Sequence, residues 1–378
     1  MIMNLRNIVI YAMVAMAAMA GCEKNPYGPT GYTPDTEDKD EDKKDTTEVI
    51  QPEEPVSFAK GADISWVTQM EEDGVTFYNA DGQEKECTEL MKELGFNAIR
   101  LRVWVNPEDG WCNKEDVLEK AFRASNLGMR LMIDFHYSDS WADPSKQNPP
   151  SAWKSYDAVQ MAEAVASHTI DVLKSMKEVG IEVDWVQIGN EVNSGMLHPL
   201  GKVSGNDAVN FVNFVNAGYK SVKEIYPDAK VIIHVSNGQD KDLFGWFFGL
   251  MKSHNARYDM IGMSLYPVWW ENNGWTAWKP VVDNLVTNIE SLVSKFGKPV
   301  MVCEVGLPVS EPKMSKDAIQ YILDKTRKIE GCHGIFMWEP QTDGVWKPES
   351  YNSLGWNAYD KGAFKEGKAT IALDPFKE

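Results

Sequence analysis

Eight short apolar or β-branched runs alternate with longer helix-period segments, and no other feature of the chain restricts its fold as much. The runs are Phe58–Ile64, Ala98–Val103, Leu131–Phe135, Trp185–Ile188, Val231–Val235, Met260–Leu265, Val300–Cys303 and Gly334–Met337. Between them lie segments with apolar residues every three or four positions: Cys87–Leu94, Asp116–Leu127, Ala158–Val179, Ala208–Ile225, Val281–Phe296 and Lys316–Ile329. Leu94-Gly95 and Val179-Gly180 read as helix ends. Strictly alternating strands and helices predict a parallel sheet, and eight of them predict a single (β/α)8 barrel over residues 57–378. The alternative, a doubly wound open sheet, would carry a glycine-rich phosphate loop after its first strand, and none is present. The spacing leaves long loops after runs one, three, six and eight.

In a barrel of this kind the chemistry sits where the strands end. Run two carries Arg100 and Arg102, which share a face by the two-residue period. Run three is followed by His136 and Tyr137 and contains Asp134, read as a structural partner for Arg102. Run four leads into Asn190 and Glu191, run five holds His234, run six is followed by Tyr266, run seven by Glu304, and run eight by Trp338 and Glu339. A ring of acids, bases and aromatics at successive strand ends is expected to be a site.

Glu191 and Glu304 both end apolar strands, where an unpaired charge is costly. Each alone could be the ion-pair partner of a barrel arginine. Together they fit hydrolysis of a glycosidic bond, which needs one protonated and one ionised carboxyl group. Arg100 is placed to keep Glu304 ionised, and an apolar wall such as Trp338 to keep Glu191 protonated.

The local context is sharper than the pair. Gly61-Ala62-Asp63-Ile64-Ser65, Asn97–Pro107, Ile133–Pro144, Gln187–Met196 and Trp338-Glu339-Pro340 resemble, in this order, glycoside hydrolase family 53 of clan A. The resemblance spans residues 57–360. It implies an endo-β-1,4-galactanase that releases galacto-oligosaccharides from galactan side chains of pectin by a retaining double displacement. Glu191 would be the acid/base and Glu304 the nucleophile. Asn190 would bind the sugar 2-hydroxyl, Arg100 and Tyr266 would lie against the nucleophile, and His136, His234 and Trp338 would line the same subsite. Glu339 is expected beside Trp338, either touching sugar or orienting the ring. The enzymatic alternatives are a mannanase or glucanase of the same clan; the non-enzymatic one is a glycan-binding surface protein.

The chain is rich in tryptophan, with 14. Trp104, Trp141, Trp269, Trp270, Trp275, Trp278, Trp346 and Trp356 are candidate stacking platforms for sugar rings, at least three of them being ordinary packing. No metal or other cofactor is expected, although some family members carry calcium in the loop after strand seven. Here that loop, Val305–Lys313, lacks oxygen ligands at alternating positions. Cys87, Cys112, Cys303 and Cys332 allow three full disulfide pairings or four packed thiols, and Cys303 reads as packing.

The N-terminus reads as an address. Arg6 precedes the uncharged run Ile8–Ala20, and Met19-Ala20-Gly21-Cys22 resembles a bacterial lipobox, which implies an outer-membrane or cell-surface lipoprotein acylated at Cys22. Residues 23–56 hold 11 acids, 4 Lys and five Pro, a composition that suits a flexible tether. The net charge of the whole chain is −18, which argues against nucleic-acid partners. A monomer is expected.

Overall fold

The computed structural model describes residues 57–268, 277–352, 354 and 359–378. The lipobox, Cys22 and the acidic tether lie outside the described residues, as do Trp269, Trp270, Trp275 and Trp356.

The eight runs form eight parallel strands: β1 (Ala59–Asp63), β2 (Ala98–Val103), β3 (Arg130–Phe135), β4 (Trp185–Ile188), β5 (Lys230–Val235), β6 (Met260–Leu265), β7 (Val300–Val305) and β8 (Cys332–Trp338). Each pairs with its sequence neighbours, and β1 pairs with both β8 and β2, so the sheet closes into a barrel rather than an open sheet. Strand β7 runs past the expected Cys303, so Glu304 sits inside the strand and not after it. Strand pairing puts Asp63 opposite Arg100 and Ser264 opposite Glu304, and closure puts Asp63 opposite Trp338.

Outside the strands lie α1 (Cys87–Glu93), α2 (Lys114–Asn126), α3 (Ala158–Glu178), α4 (Val209–Ile225), α5 (Lys241–Ser253), α6 (Trp278–Phe296) and α7 (Pro312–Thr326). Four of their starts carry a side-chain cap, those of α1, α2, α3 and α5. Asn113 accepts from the Asp116 N–H, and Asp157 forms a reciprocal capping box with Gln160. Helix α6 ends at Gly297 in the left-handed conformation. Helix α5 escaped the sequence reading because Gly245 and Gly249 interrupt its period, yet its Phe244, Phe247 and Phe248 are fully buried. The eighth helical position is taken by a short 3-10 segment, Ile371–Lys377, packed on α7.

The barrel interior is closed at one end by Ala59, Ala98, Met132, Trp185, Ile232, Met260, Met301, Cys303 and Phe336. Only glycine fits at position 61, because a Cβ there would stand 2.1 Å from the Phe336 ring. Cys87, Cys112, Cys303 and Cys332 are all buried free thiols, so none of the three disulfide pairings occurs.

Candidate active site

At the strand C-termini a cavity of about 420 Å³ opens, and both carboxylates line it. Glu304 is held at each oxygen. Arg100 Nη2 lies 3.0 Å from Oε1, and Tyr266 Oη donates to Oε2 at 2.8 Å. Burial raises the Glu304 pKa, while the Arg100 charge and the Tyr266 hydrogen bond act in the opposite direction. Glu191 accepts a 2.6 Å hydrogen bond from Ser264 Oγ. Burial and then the nearby Glu304 charge raise its pKa well above the usual carboxyl range, against a weaker opposing pull from Ser264. Of the two groups, Glu191 is therefore the one built to keep a proton, and Glu304 the one supplied with direct charge partners.

The backbone at Glu191 is left-handed, with φ 46°, an uncommon state for a non-glycine residue. Glu339 at the end of β8 and Tyr137 after β3 share it, with φ 47° and 49°. The chain thus leaves these strands by a sharp turn that costs on the order of 1–3 kcal/mol at each residue.

Arg100 is the electrostatic centre. Its guanidinium binds Asp63, Asp134 at 2.9 Å, Asn190 Oδ1 at 3.0 Å and Gln187 Oε1 at 2.7 Å, besides Glu304. Asp134 is thus the partner of Arg100, not of Arg102 as expected. Arg102 Nη1 instead lies 3.4 Å from Glu339 Oε1, and its guanidinium stacks 4.3 Å from the Trp141 ring centre.

His136 lines the cavity as expected, and its tautomer is determined by its neighbours. Nδ1 accepts from Trp104 Nε1 at 3.2 Å and from the Ala142 N–H at 3.1 Å, so it carries no proton; Nε2 then donates to Asp134 at 3.1 Å. Burial, against the Asp134 charge, lowers its pKa and favours this neutral form. Both nitrogens are committed to protein, so the ring offers carbon edge to a ligand.

Asn190, Tyr266, Trp141 and Trp338 also line the cavity. Four expected contact residues do not. Arg100 and His234 are buried behind the carboxylates and act through them. Trp104 is buried behind Trp141 and His136, at 5.2 Å from the Trp141 ring. Glu339 is fully buried; it accepts from the Trp66 N–H and from Gln341 Nε2 and faces Arg102, so it braces the floor instead of touching a ligand. Trp278 packs on Tyr321 in the helical layer, and Trp346 lies against Trp66, so neither lines the cavity. Tyr137 is wall, bonded to Thr169.

The sequence reading missed Asp143–Lys146, Ser236, Asn237, Tyr351 and Tyr359, which complete the rim, and Ser264 behind it. Ser264 had a signal, since it stands two residues before Tyr266 and shares its face. The loop residues had none, because their placement depends on where distant loops meet. Among the described residues no group of three or more His, Cys, Asp or Glu is arranged to hold a metal ion.

Known proteins resemble the chain over nearly the whole barrel. The model of glycosyl hydrolase family 53 matches residues 59–376. An arabinogalactan endo-beta-1,4-galactanase of Humicola insolens is 34% identical over 341 residues, covering 84% of this chain and 98% of that protein. Arabinogalactan endo-beta-1,4-galactanase A of Emericella nidulans is 33% identical over 303 residues, covering 74% and 84%. Among solved structures, one from a study of two fungal beta-1,4-galactanases superposes with a TM-score of 0.73 at 31% identity, covering 84% of this chain and 98% of that one. The GH53 catalytic domain of Ignisphaera aggregans gives a TM-score of 0.73 at 29% identity, covering 86% and 97%.

Proposed function

The chain belongs to glycosyl hydrolase family 53, and from that membership and the paired carboxylates we propose an endo-acting, retaining β-1,4-galactanase that cuts galactan side chains of pectin to galacto-oligosaccharides. The observation that carries the assignment is the unequal surroundings of two glutamates in one cavity: Arg100 and Tyr266 on Glu304, Ser264 on Glu191.

Glu304 is the nucleophile. Its ionised carboxylate attacks the anomeric carbon, while Glu191 gives its proton to the departing glycosidic oxygen. The resulting glycosyl-enzyme ester is hydrolysed by water, from which Glu191 now takes a proton. Asn190 is fixed by Arg100 and by its own bond to the Ala142 carbonyl at 2.9 Å, which leaves its second amide hydrogen for the sugar 2-hydroxyl. Trp338 and Trp141 provide apolar faces to the sugar ring.

A time course on β-1,4-galactan tests this. Early release of mixed oligosaccharides, abolished in Glu304→Ala, is the expected result. Activity confined to mannan or β-glucan would move the reading to another endo-glycanase. Binding of galactan without cleavage by the wild type would make the protein a glycan receptor.

We further propose that Cys22 carries a lipid anchor on the outer membrane and that residues 23–56 tether a monomeric barrel to it. The Met-Ala-Gly-Cys sequence and the acidic, proline-containing stretch after it support this. Cys22→Ala is expected to release the protein from membrane fractions; a variant that stays membrane-bound would refute the anchor.

A further inference from the structure

Behind Glu191 a chain of side chains leads away from the cavity. Ser264 Oγ, 2.6 Å from Glu191 Oε1, is also 2.8 Å from His234 Nε2. His234 Nδ1 is 2.9 Å from Gln187 Nε2 and 2.9 Å from Asn190 Oδ1. Both amides are oriented by other partners. Gln187 Oε1 accepts from Arg100 Nε, so its nitrogen is what faces the ring; Asn190 Nδ2 donates to the Ala142 carbonyl, so its oxygen faces the ring.

His234 Nδ1 therefore faces one donor and one acceptor, and either neutral tautomer is satisfied there. With the hydrogen on Nε2, the ring donates to Ser264, whose hydroxyl then donates to an ionised Glu191. With the hydrogen on Nδ1, Nε2 accepts from Ser264, whose oxygen accepts the proton of a neutral Glu191. A general acid/base passes through both of these charge states. The β6–β7 register slips between Met263 and Ser264, an irregularity of the kind that re-aims a side chain.

We propose that Ser264, backed by His234, is the positioning pair of Glu191, holding its carboxyl in place in both protonation states. The proposal rests on Glu191 being the acid/base. Neither Ser264 nor His234 lines the cavity, so both act through Glu191. The other titratable or charged groups facing Glu191 are Glu304 from β7, Asp143 from the loop after β3, Arg100 from β2 and Tyr266 after β6. Those facing His234 are Arg100, Asp134 and His136. All remain in a Ser264→Ala variant, so a change in its titration reports the missing hydroxyl.

The test is kcat/KM against pH on β-1,4-galactan. The alkaline limb reports the acid, Glu191, and donation to a carboxylate favours its ionised form. Ser264→Ala should move that limb upward by about one pH unit and lower kcat about tenfold, with KM little changed. Ser264→Thr keeps the hydroxyl and should restore the wild-type limb. An unmoved alkaline limb in folded Ser264→Ala overturns the proposal, as does a Thr variant that titrates like the Ala variant. Full galactan activity in Glu191→Ala would instead sink the acid/base assignment itself.

Discussion

Tyr266 Oη donates to Glu304 Oε2 at 2.8 Å, on the oxygen opposite the one that Arg100 contacts. The two donors approach from different strands, so the carboxylate is fixed in both position and plane. Tyr266→Phe removes one donor without opening a large cavity. The acidic limb of kcat/KM against pH, which reports ionisation of Glu304, should rise by about one unit, and kcat should fall by roughly tenfold or more. An acidic limb that stays put would remove Tyr266 from the control of Glu304.

Glu191→Ala separates the two chemical steps. Its proton matters most when the leaving group is a poor one, as a sugar hydroxyl is. Cleavage of galactan should fall by about 10²–10⁴-fold, while an aryl galactoside or galactobioside with an acidic phenol should lose far less at the glycosylation step. Pre-steady-state release of the phenol measures that step directly. Equal losses on both substrates would argue against the acid role.

Gly306 follows β7 and lies against the Tyr266 ring. A Cβ at position 306 would stand 2.5 Å from that ring and 2.8 Å from Tyr359 Oη, so one of the two side chains must move. Gly306→Ala should therefore resemble Tyr266→Phe in its pH profile and lose up to about 10² in kcat, since a displacement near 1 Å at a reacting group is that costly. A crystal structure of the variant would show which ring yields; wild-type kinetics would show that the wall is softer than its packing implies.

Stability should also depend on pH. Burial raises the pKa values of Glu191, Glu304 and Glu339 in the folded protein above the ordinary value of 4.5. The native state therefore binds more protons than the unfolded chain above about pH 4.5, and stability contributed by these groups declines as pH rises through their folded values. Asp116 and Asp134 have lowered values and act oppositely, in the acid range below 3.8. Burial lowers the values of His136, His168, His234 and His333, which work against the decline up to about pH 6.5. Denaturant midpoints of the barrel should therefore fall from pH 7 to 8, and Glu339→Gln should flatten part of that fall. A midpoint that rises across this range would contradict the raised values of these carboxyls.

Most of the framework was legible in the sequence because it is local. Period-two and period-3.6 patterns are properties of neighbouring residues, and they marked all eight barrel strands and six of the seven helices named above that alternate with them. Residues that follow a barrel strand fall on its catalytic end whatever the rest of the chain does, so Glu191, Glu304, Asn190, His136, Tyr266 and Trp338 were accessible to the same reading. The exceptions have physical causes. Glycines diluted the period of α5, and the alternation within β2 said that Arg100 and Arg102 share a face without saying which acid meets which.

By itself, then, the sequence determined the order and type of the elements and the ring of polar residues at their ends. Tertiary structure decided depth within that ring. Closure of β1 onto β8 and the stagger of the strands set Arg100 below Glu304, sank His234 behind Ser264, and buried Glu339 under Arg102, while Trp141 rather than Trp104 came to face the cavity. These contacts join residues from 30 to more than 200 positions apart in the chain. Their energies depend on burial and on partners that no local pattern contains, so only the folded barrel sorts a residue that touches substrate from one that holds it in place.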